Sequence, residues 1–294
     1  MAQATDVRAR ICKAHDLATD AVEILTMKTT GDQFTDRPLS AIGGKGLFTK
    51  ELEEGLYSGE IDIAVHSMKD VATILPDGLM LSTVLEREDF RDAFVSEKYG
   101  SINELPHGAT VGTSSLRRKA QLLRLRPDLH VVEFRGLVET RLQKLRDGVA
   151  DATFLAVAGL NRLGRKDLFE KGIAHIIDEE DMLPACAQGA VGIEIREADK
   201  KLHEFLKPLH HENTYKSIMA ERAFLRVLDG SCRTPIAGLA WVNDTGMLSL
   251  QGEVLSLDGQ KMVQGGWTDT DASALGLRAG EELLERGAAE VLGG

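Results

Sequence analysis

The sequence is poor in cysteine, in aromatic side chains and in long apolar runs. Its 294 residues include only Cys12, Cys186 and Cys232. Three cysteines so far apart build no disulfide framework and lack the spacing of a zinc site. No apolar run approaches the length that crosses a bilayer, so no membrane partner is expected. Residues 1–17 carry scattered charges and no apolar centre, which is not the pattern of a secretory leader. A cytoplasmic protein is the simplest reading. Aromatics are 5%, and 35 Lys and Arg stand against 46 Asp and Glu, for a net charge of −11. Nucleic-acid binding wants a basic stripe and stacking rings, so that partner is not expected either. Any cluster of arginine in such a chain needs a local cause.

What is present is ordinary globular sequence, 43% hydrophobic and 28% charged, and long enough for two or three domains. The most informative stretch is 59–70. A β-branched run at 61–65 reads as a buried strand, and His66, Ser67, Lys69 and Asp70 follow at once. In open α/β sheets, ligands sit beyond strand C-termini. Lys69 and Asp70 are therefore either a site floor or a surface pair. Before this stretch, 4–18 reads as an amphipathic helix with Val7 and Ile11 inward, and 22–27 reads as a strand. Gly43-Gly44-Lys45-Gly46 lacks P-loop spacing, so Lys45 is a ligand clamp or a solvated side chain. Glu86-Arg87-Glu88-Asp89 reads as a hinge.

A second grammar then repeats. The strand 110–112 ends in Thr113-Ser114-Ser115, and a helix follows with Leu116, Ala120 and Leu123 expected inward. Arg117 and Arg118 stand at that helix's N-terminus, where partial positive charge disfavours them. An external anion bound there would neutralise both. Strands expected at 130–134 and 152–158 are followed by Arg135, Arg141 and Arg162. If the sheet is parallel, five arginines converge on one crevice, which suits a small polyanion such as a polycarboxylate. The segment 183–195 reads as a loop and strand returning to the first domain. From about Asn213 a helix, short strands and a last helix make a small α+β domain. Cys232 sits there in a loop, open to modification or merely incidental.

Taken together these stretches are specific. Gly44-Lys45-Gly46-Leu47-Phe48, Ala64-Val65-His66-Ser67-Met68-Lys69-Asp70, Gly112-Thr113-Ser114-Ser115-Leu116-Arg117-Arg118, Leu155-Ala156-Val157-Ala158-Gly159-Leu160 and Gln188-Gly189-Ala190-Val191-Gly192-Ile193-Glu194 occur in order. The chain thereby resembles the porphobilinogen deaminase family over nearly its whole length. The resemblance implies two periplasmic-binding-protein-like (type II) α/β domains, at 1–86 with 190–207 and at 91–184, plus a small C-terminal α+β domain at 212–294. It implies a dipyrromethane cofactor held by a thioether at Cys232, four condensations of porphobilinogen with release of ammonia, and a monomer. It makes Asp70 the catalytic carboxylate. It places Ser67, Lys69, Thr113, Ser115, Arg117, Arg118, Arg135 and Arg141 around the cofactor, and Lys45, Arg162 and Gln188 around the substrate. No metal is implied.

The chain departs from the family pattern in places. The family has a strand and a Thr-Arg-x-Ser-type segment ahead of the first helix. Met1 falls after that point, so the first sheet is expected to lack one interior strand. Leu137 stands where Asn is usual, Ala72 replaces Pro, and Ala187 and Ser231 replace Gly. Two other readings stand beside the enzyme: an inactive or truncated homologue, and a cofactor-free small-anion binding protein. Cys232 separates the last from the first, because a binding protein has no need of it.

Overall fold

The computed structural model describes residues 1–27, 49–228, 230 and 234–293. The Gly43–Gly46 loop with Lys45, and also Ser231 and Cys232, lie outside the described residues. The chain opens with α1 (Ala2–Ala14), α2 (Lys50–Ser58), β1 (Ala64–Ser67) and β2 (Leu79–Val84). Next come β3 (Asp92–Val95), β4 (Thr110–Gly112), α3 (Leu116–Leu125), β5 (His130–Val132), α4 (Val138–Arg146), β6 (Ala152–Ala156), α5 (Val157–Arg162) and β7 (Ala174–Ile176). The chain then runs through β8 (Val191–Arg196), α6 (Lys200–Leu206), α7 (Glu212–Val227), β9 (Ile236–Val242), β10 (Leu248–Leu255), β11 (Met262–Asp269) and α8 (Ala272–Glu285).

Three sheets result. The first has the order β1-β8-β2 and is antiparallel, so β8 brings the chain back between two strands it left much earlier. The second has the order β5-β4-β6-β3-β7. In it β4 runs parallel to β5 and β6, and β3 runs antiparallel to β6 and β7. The third is the antiparallel β11-β10-β9. The architecture is two α/β units and an α+β unit.

Period-two burial explains the second sheet. Ala93 and Val95 pack on one face with Phe134 and Leu160, while Phe94 packs on the other with Val111, Phe154 and Met182. Phe94 and Phe154 meet edge to face at 6.2 Å. Each buries a whole ring, a contribution of about 2–3 kcal/mol. In the first unit Val7 and Ile11 of α1 pack on Ile193 and Ile195 of β8. In the third, Leu275, Ala279 and Leu283 of α8 are fully buried against Phe224 of α7 and the strands. Strand β10 continues through polar residues because Gly252 leaves room for Phe224: a Cβ there would sit 2.6 Å from the ring.

Several expected elements shift. Residues 23–27 carry no regular structure. Strands β5 and β6 each stop two residues earlier than expected. The buried face of α3 keeps Ala120 as expected, but Arg117, Arg118, Gln121 and Leu122 join it in place of Leu116 and Leu123, which are half-buried. That helix buries its polar residues because a carboxylate waits for them in the core.

Candidate active site

Strand β1 ends in one 3-10 turn, Met68–Asp70, closed by Val71 N–H donating to Met68 O at 3.3 Å. Met68 is buried and anchors the turn, and its N–H donates to Ala190 O at 3.1 Å. His66 is buried because Glu194, on β8 two residues from the Gly192 that faces it, meets it at 2.8 Å. The next side chains, Ser67, Lys69 and Asp70, look out of the sheet. Asp70 is solvent-accessible, yet the protein around it displaces enough water to push its carboxyl up from the ordinary value; Lys69, the Ser67 hydroxyl and His66 pull it part of the way back. Burial lowers the Lys69 amine, against the pull of Asp70. Its ammonium donates to Gln188 Oε1 at 3.4 Å. Arg222 of α7 donates to the carbonyls of Val71 and Ala72, at 3.3 and 2.6 Å, and so ties the third unit to the residues just after Asp70.

The second unit supplies the arginines. Thr113 is buried and accepts from Ser115 N–H at 3.2 Å, and Ser115 caps α3 by accepting from Arg118 N–H at 3.4 Å. Arg117 and Arg118 are only 4% and 7% exposed. Both are paired from within, by a single carboxylate: Arg117 Nη2 donates to Asp92 Oδ2 at 2.7 Å, and Arg118 Nη2 donates to Asp92 Oδ1 at 2.6 Å. This corrects the expectation that an external anion alone balances them. The two guanidiniums hold the Asp92 carboxyl far below the usual carboxylate range, overcoming its burial. Each arginine still keeps a buried Nε–H with no partner among the described residues.

Arg141 is half-buried, and burial together with the like charges of Arg118 and Arg135 lowers it to about 10. Its Nε donates to Gly136 O at 2.8 Å. Arg117, Arg118, Arg135 and Arg141 thus share one region. Arg162 is set apart from it: Nη2 donates to Gly189 O at 2.6 Å, and its charged neighbours are Glu88, Asp6 and Arg10. Gly189 has φ +88, and a Cβ there would lie 2.4 Å from Glu88 O, so no side chain fits. Leu137 is 82% exposed at the N-cap of α4, where it offers no side-chain acceptor.

Two features escaped sequence reasoning. Asp92 is one. Its only signal is an acid leading directly into the apolar run Ala93-Phe94-Val95. The other is Glu221, fully buried on α7, which accepts both Arg87 Nη groups and the N–H groups of Ala187 and Ala240. Arg87 lies in the charged run read as a hinge.

A family model described as "Porphobilinogen deaminase, dipyromethane cofactor binding domain" matches residues 1–204, and one described as "Porphobilinogen deaminase, C-terminal domain" matches 215–285. The chain belongs to the porphobilinogen deaminase family. The porphobilinogen deaminase of Paracoccus denitrificans is 51% identical over 292 residues, covering 99% of this chain and 92% of that protein. That of Nitrobacter winogradskyi is 50% identical over 288 residues, covering 97% and 90%. Among solved structures, the aliphatic sulphonate binding protein SsuA of Escherichia coli shares 12% identity at a TM-score of 0.41, over 76% of this chain and 67% of that one. At that score the likeness decides nothing about the fold, which stands on the chain's own sheets. Among the described residues no cluster of His, Cys, Asp and Glu could hold a metal, and no helix is long and apolar enough to cross a membrane.

Proposed function

We propose that this chain is a porphobilinogen deaminase that joins four porphobilinogen molecules head to tail, one ammonia leaving per step, and then releases the four-ring chain as hydroxymethylbilane by hydrolysis with one water. The reading takes 1–86 with 190–207 as the first lobe, 91–184 as the second and 212–294 as the cofactor-bearing unit, acting as a cytoplasmic monomer. The observation that carries it is the placing of Asp70, whose carboxyl is raised by the protein that displaces water around it, next to Lys69, which reaches Gln188 and through it Asp92 and the buried arginine pair. The residues suit the family cofactor. Arg141 is crowded by two like charges, and Arg117 and Arg118 have unspent donors, so an acidic group is the complement.

In this reading Arg117, Arg118, Arg135, Arg141, Lys69, Ser67, Thr113 and Ser115 hold the carboxylates of a dipyrromethane attached to Cys232. When bound, that group supplies the nucleophilic pyrrole carbon to which the first substrate is joined. Lys45, Arg162 and Gln188 hold the incoming porphobilinogen. Asp70 carries the proton. Its raised carboxyl gives one to the leaving amine, and the carboxylate left behind faces the cationic carbon and stabilises it. After the new carbon–carbon bond forms, Asp70 takes back the proton released from the pyrrole. The Ser67 hydroxyl keeps the carboxylate oriented between the two transfers.

The test is Asp70→Asn. Porphobilinogen consumption should fall by about 10² or more. Intact mass should show the cofactor still attached to Cys232. Near-normal turnover in this variant would remove Asp70 from its role.

A further inference from the structure

Asp92 lies at the start of β3, fully buried, just after the outgoing crossover, residues 85–91 between β2 and β3; the returning crossover is the 177–190 segment between β7 and β8. Its two oxygens take three strong donors. Oδ2 accepts from Arg117, and Oδ1 accepts from Arg118 and from Gln188 Nε2 at 2.9 Å. The same Gln188 Nε2 also donates to Phe90 O at 2.8 Å. Carboxylate and carbonyl oxygens are acceptors only, so this end of the amide has to be its NH2. Gln188 Oε1 is thereby turned toward Lys69 Nζ, 3.4 Å away. Gln188 is 1% exposed and sits on the returning crossover. One carboxylate thus reaches both crossovers and, through one amide, the residue beside Asp70.

We propose that Asp92 is a positioning residue of the active site: it fixes the Arg117–Arg118 pair and, by orienting the Gln188 amide, sets Lys69 beside Asp70. This rests on the reading of the site given above. Two cationic donors on one carboxylate leave a net positive charge, so the pair stays able to bind an anion while its guanidiniums are held still. The Gln188 link lets a carboxylate in the second unit support an ammonium in the first. The charged groups facing Lys69 are Asp70, Asp92, Arg117 and Arg118. Removing the Asp92 charge leaves Lys69 with both arginines and only one acid. The Lys69 amine then loses its proton at lower pH.

Two variants of the full chain test this, Asp92→Asn and Gln188→Met. The second breaks the link to Lys69 and leaves the Asp92–arginine pairs in place, so it decides the matter if Asp92→Asn fails to fold. Two readings are taken for each. One is the pH profile of kcat/KM with porphobilinogen. The other is the titration midpoint of Lys69 followed by NMR on protein labelled with 13C-lysine, which needs no turnover. In both variants the Lys69 midpoint and the alkaline limb should move down by about half a pH unit or more. In Asp92→Asn, kcat should fall about tenfold or more. An unmoved Lys69 midpoint in Gln188→Met overturns the proposal, because a merely structural residue changes stability without touching that titration. Wild-type chain that consumes no porphobilinogen would overturn the assigned reaction instead, with the Lys69 titration still deciding the role of Asp92.

Discussion

Replacing Glu221 with Ala should loosen the whole molecule. The Glu221 side chain is fully buried and makes a two-pronged pair with Arg87, with Nη1 to Oε1 at 2.6 Å and Nη2 to Oε2 at 3.2 Å. It also accepts the backbone N–H of Ala240 at 2.7 Å and that of Ala187. Arg87 belongs to the outgoing crossover, Ala187 to the returning one, and Ala240 to β9. The variant leaves the largely buried Arg87 guanidinium without its counter-charge, with only the carbonyls of Gln188 and Ala240 to accept from it, which costs about 3–5 kcal/mol. It also orphans two buried amides, at about 1 kcal/mol or more each. The sum is roughly 5–7 kcal/mol, which in a chain of this size lowers the thermal midpoint by roughly 10 °C or more. Thermal and urea melts of wild type, Glu221→Ala and the double variant Arg87→Met with Glu221→Met measure it. The double variant should recover much of the loss, since apolar residues of similar volume leave no charge stranded. A loss under about 1 kcal/mol in Glu221→Ala would refute the reasoning and make the pair no better than a surface contact.

Two other outcomes follow from local geometry. Ala187 has φ +63, a left-handed conformation that costs a side-chain-bearing residue about 1–2 kcal/mol; Ala187→Gly should raise stability by about 0.5–1 kcal/mol after the entropy of glycine is subtracted, read from the urea midpoint. Burial raises the Glu253 carboxyl to about 7 despite Arg117 and Arg124, and its Oε1 has no hydrogen-bond partner. The folded state therefore holds that proton more tightly than the unfolded one, and stability drains away as pH rises from about 4.5 to 7. Glu253→Gln should then add on the order of 2 kcal/mol at pH 8 and little near pH 4.5, and an equal gain at both would contradict the titration.

Much of the candidate site was readable because strands ending in polar residues are rare enough to stand out. Ser67, Lys69 and Asp70 were located from the apolar run before them, although β1 starts and ends later than that run. The shift has a cause: His66 reads as a strand stop, but Glu194 satisfies it inside the sheet. The arginine pair was found and its main partner was not. Asp92 lies 25 residues upstream of Arg117 by sequence and meets it only once β3 and α3 have folded together. The same holds for Arg87 and Glu221, 134 positions apart, whose pairing no local pattern encodes. Residues 22–27 look like a strand by composition, yet Leu25 is 47% exposed and only Val22 joins the first core. The Ala187 departure shows the opposite case: the usual glycine was a readable sign of the left-handed backbone found there.

The intact mass of the purified chain, with Ehrlich's reagent on the same sample, tests the central claim most directly. A covalent dipyrrole adduct that maps to Cys232 and gives the colour reaction is expected. An unmodified mass with no colour, after incubation with porphobilinogen, would contradict it.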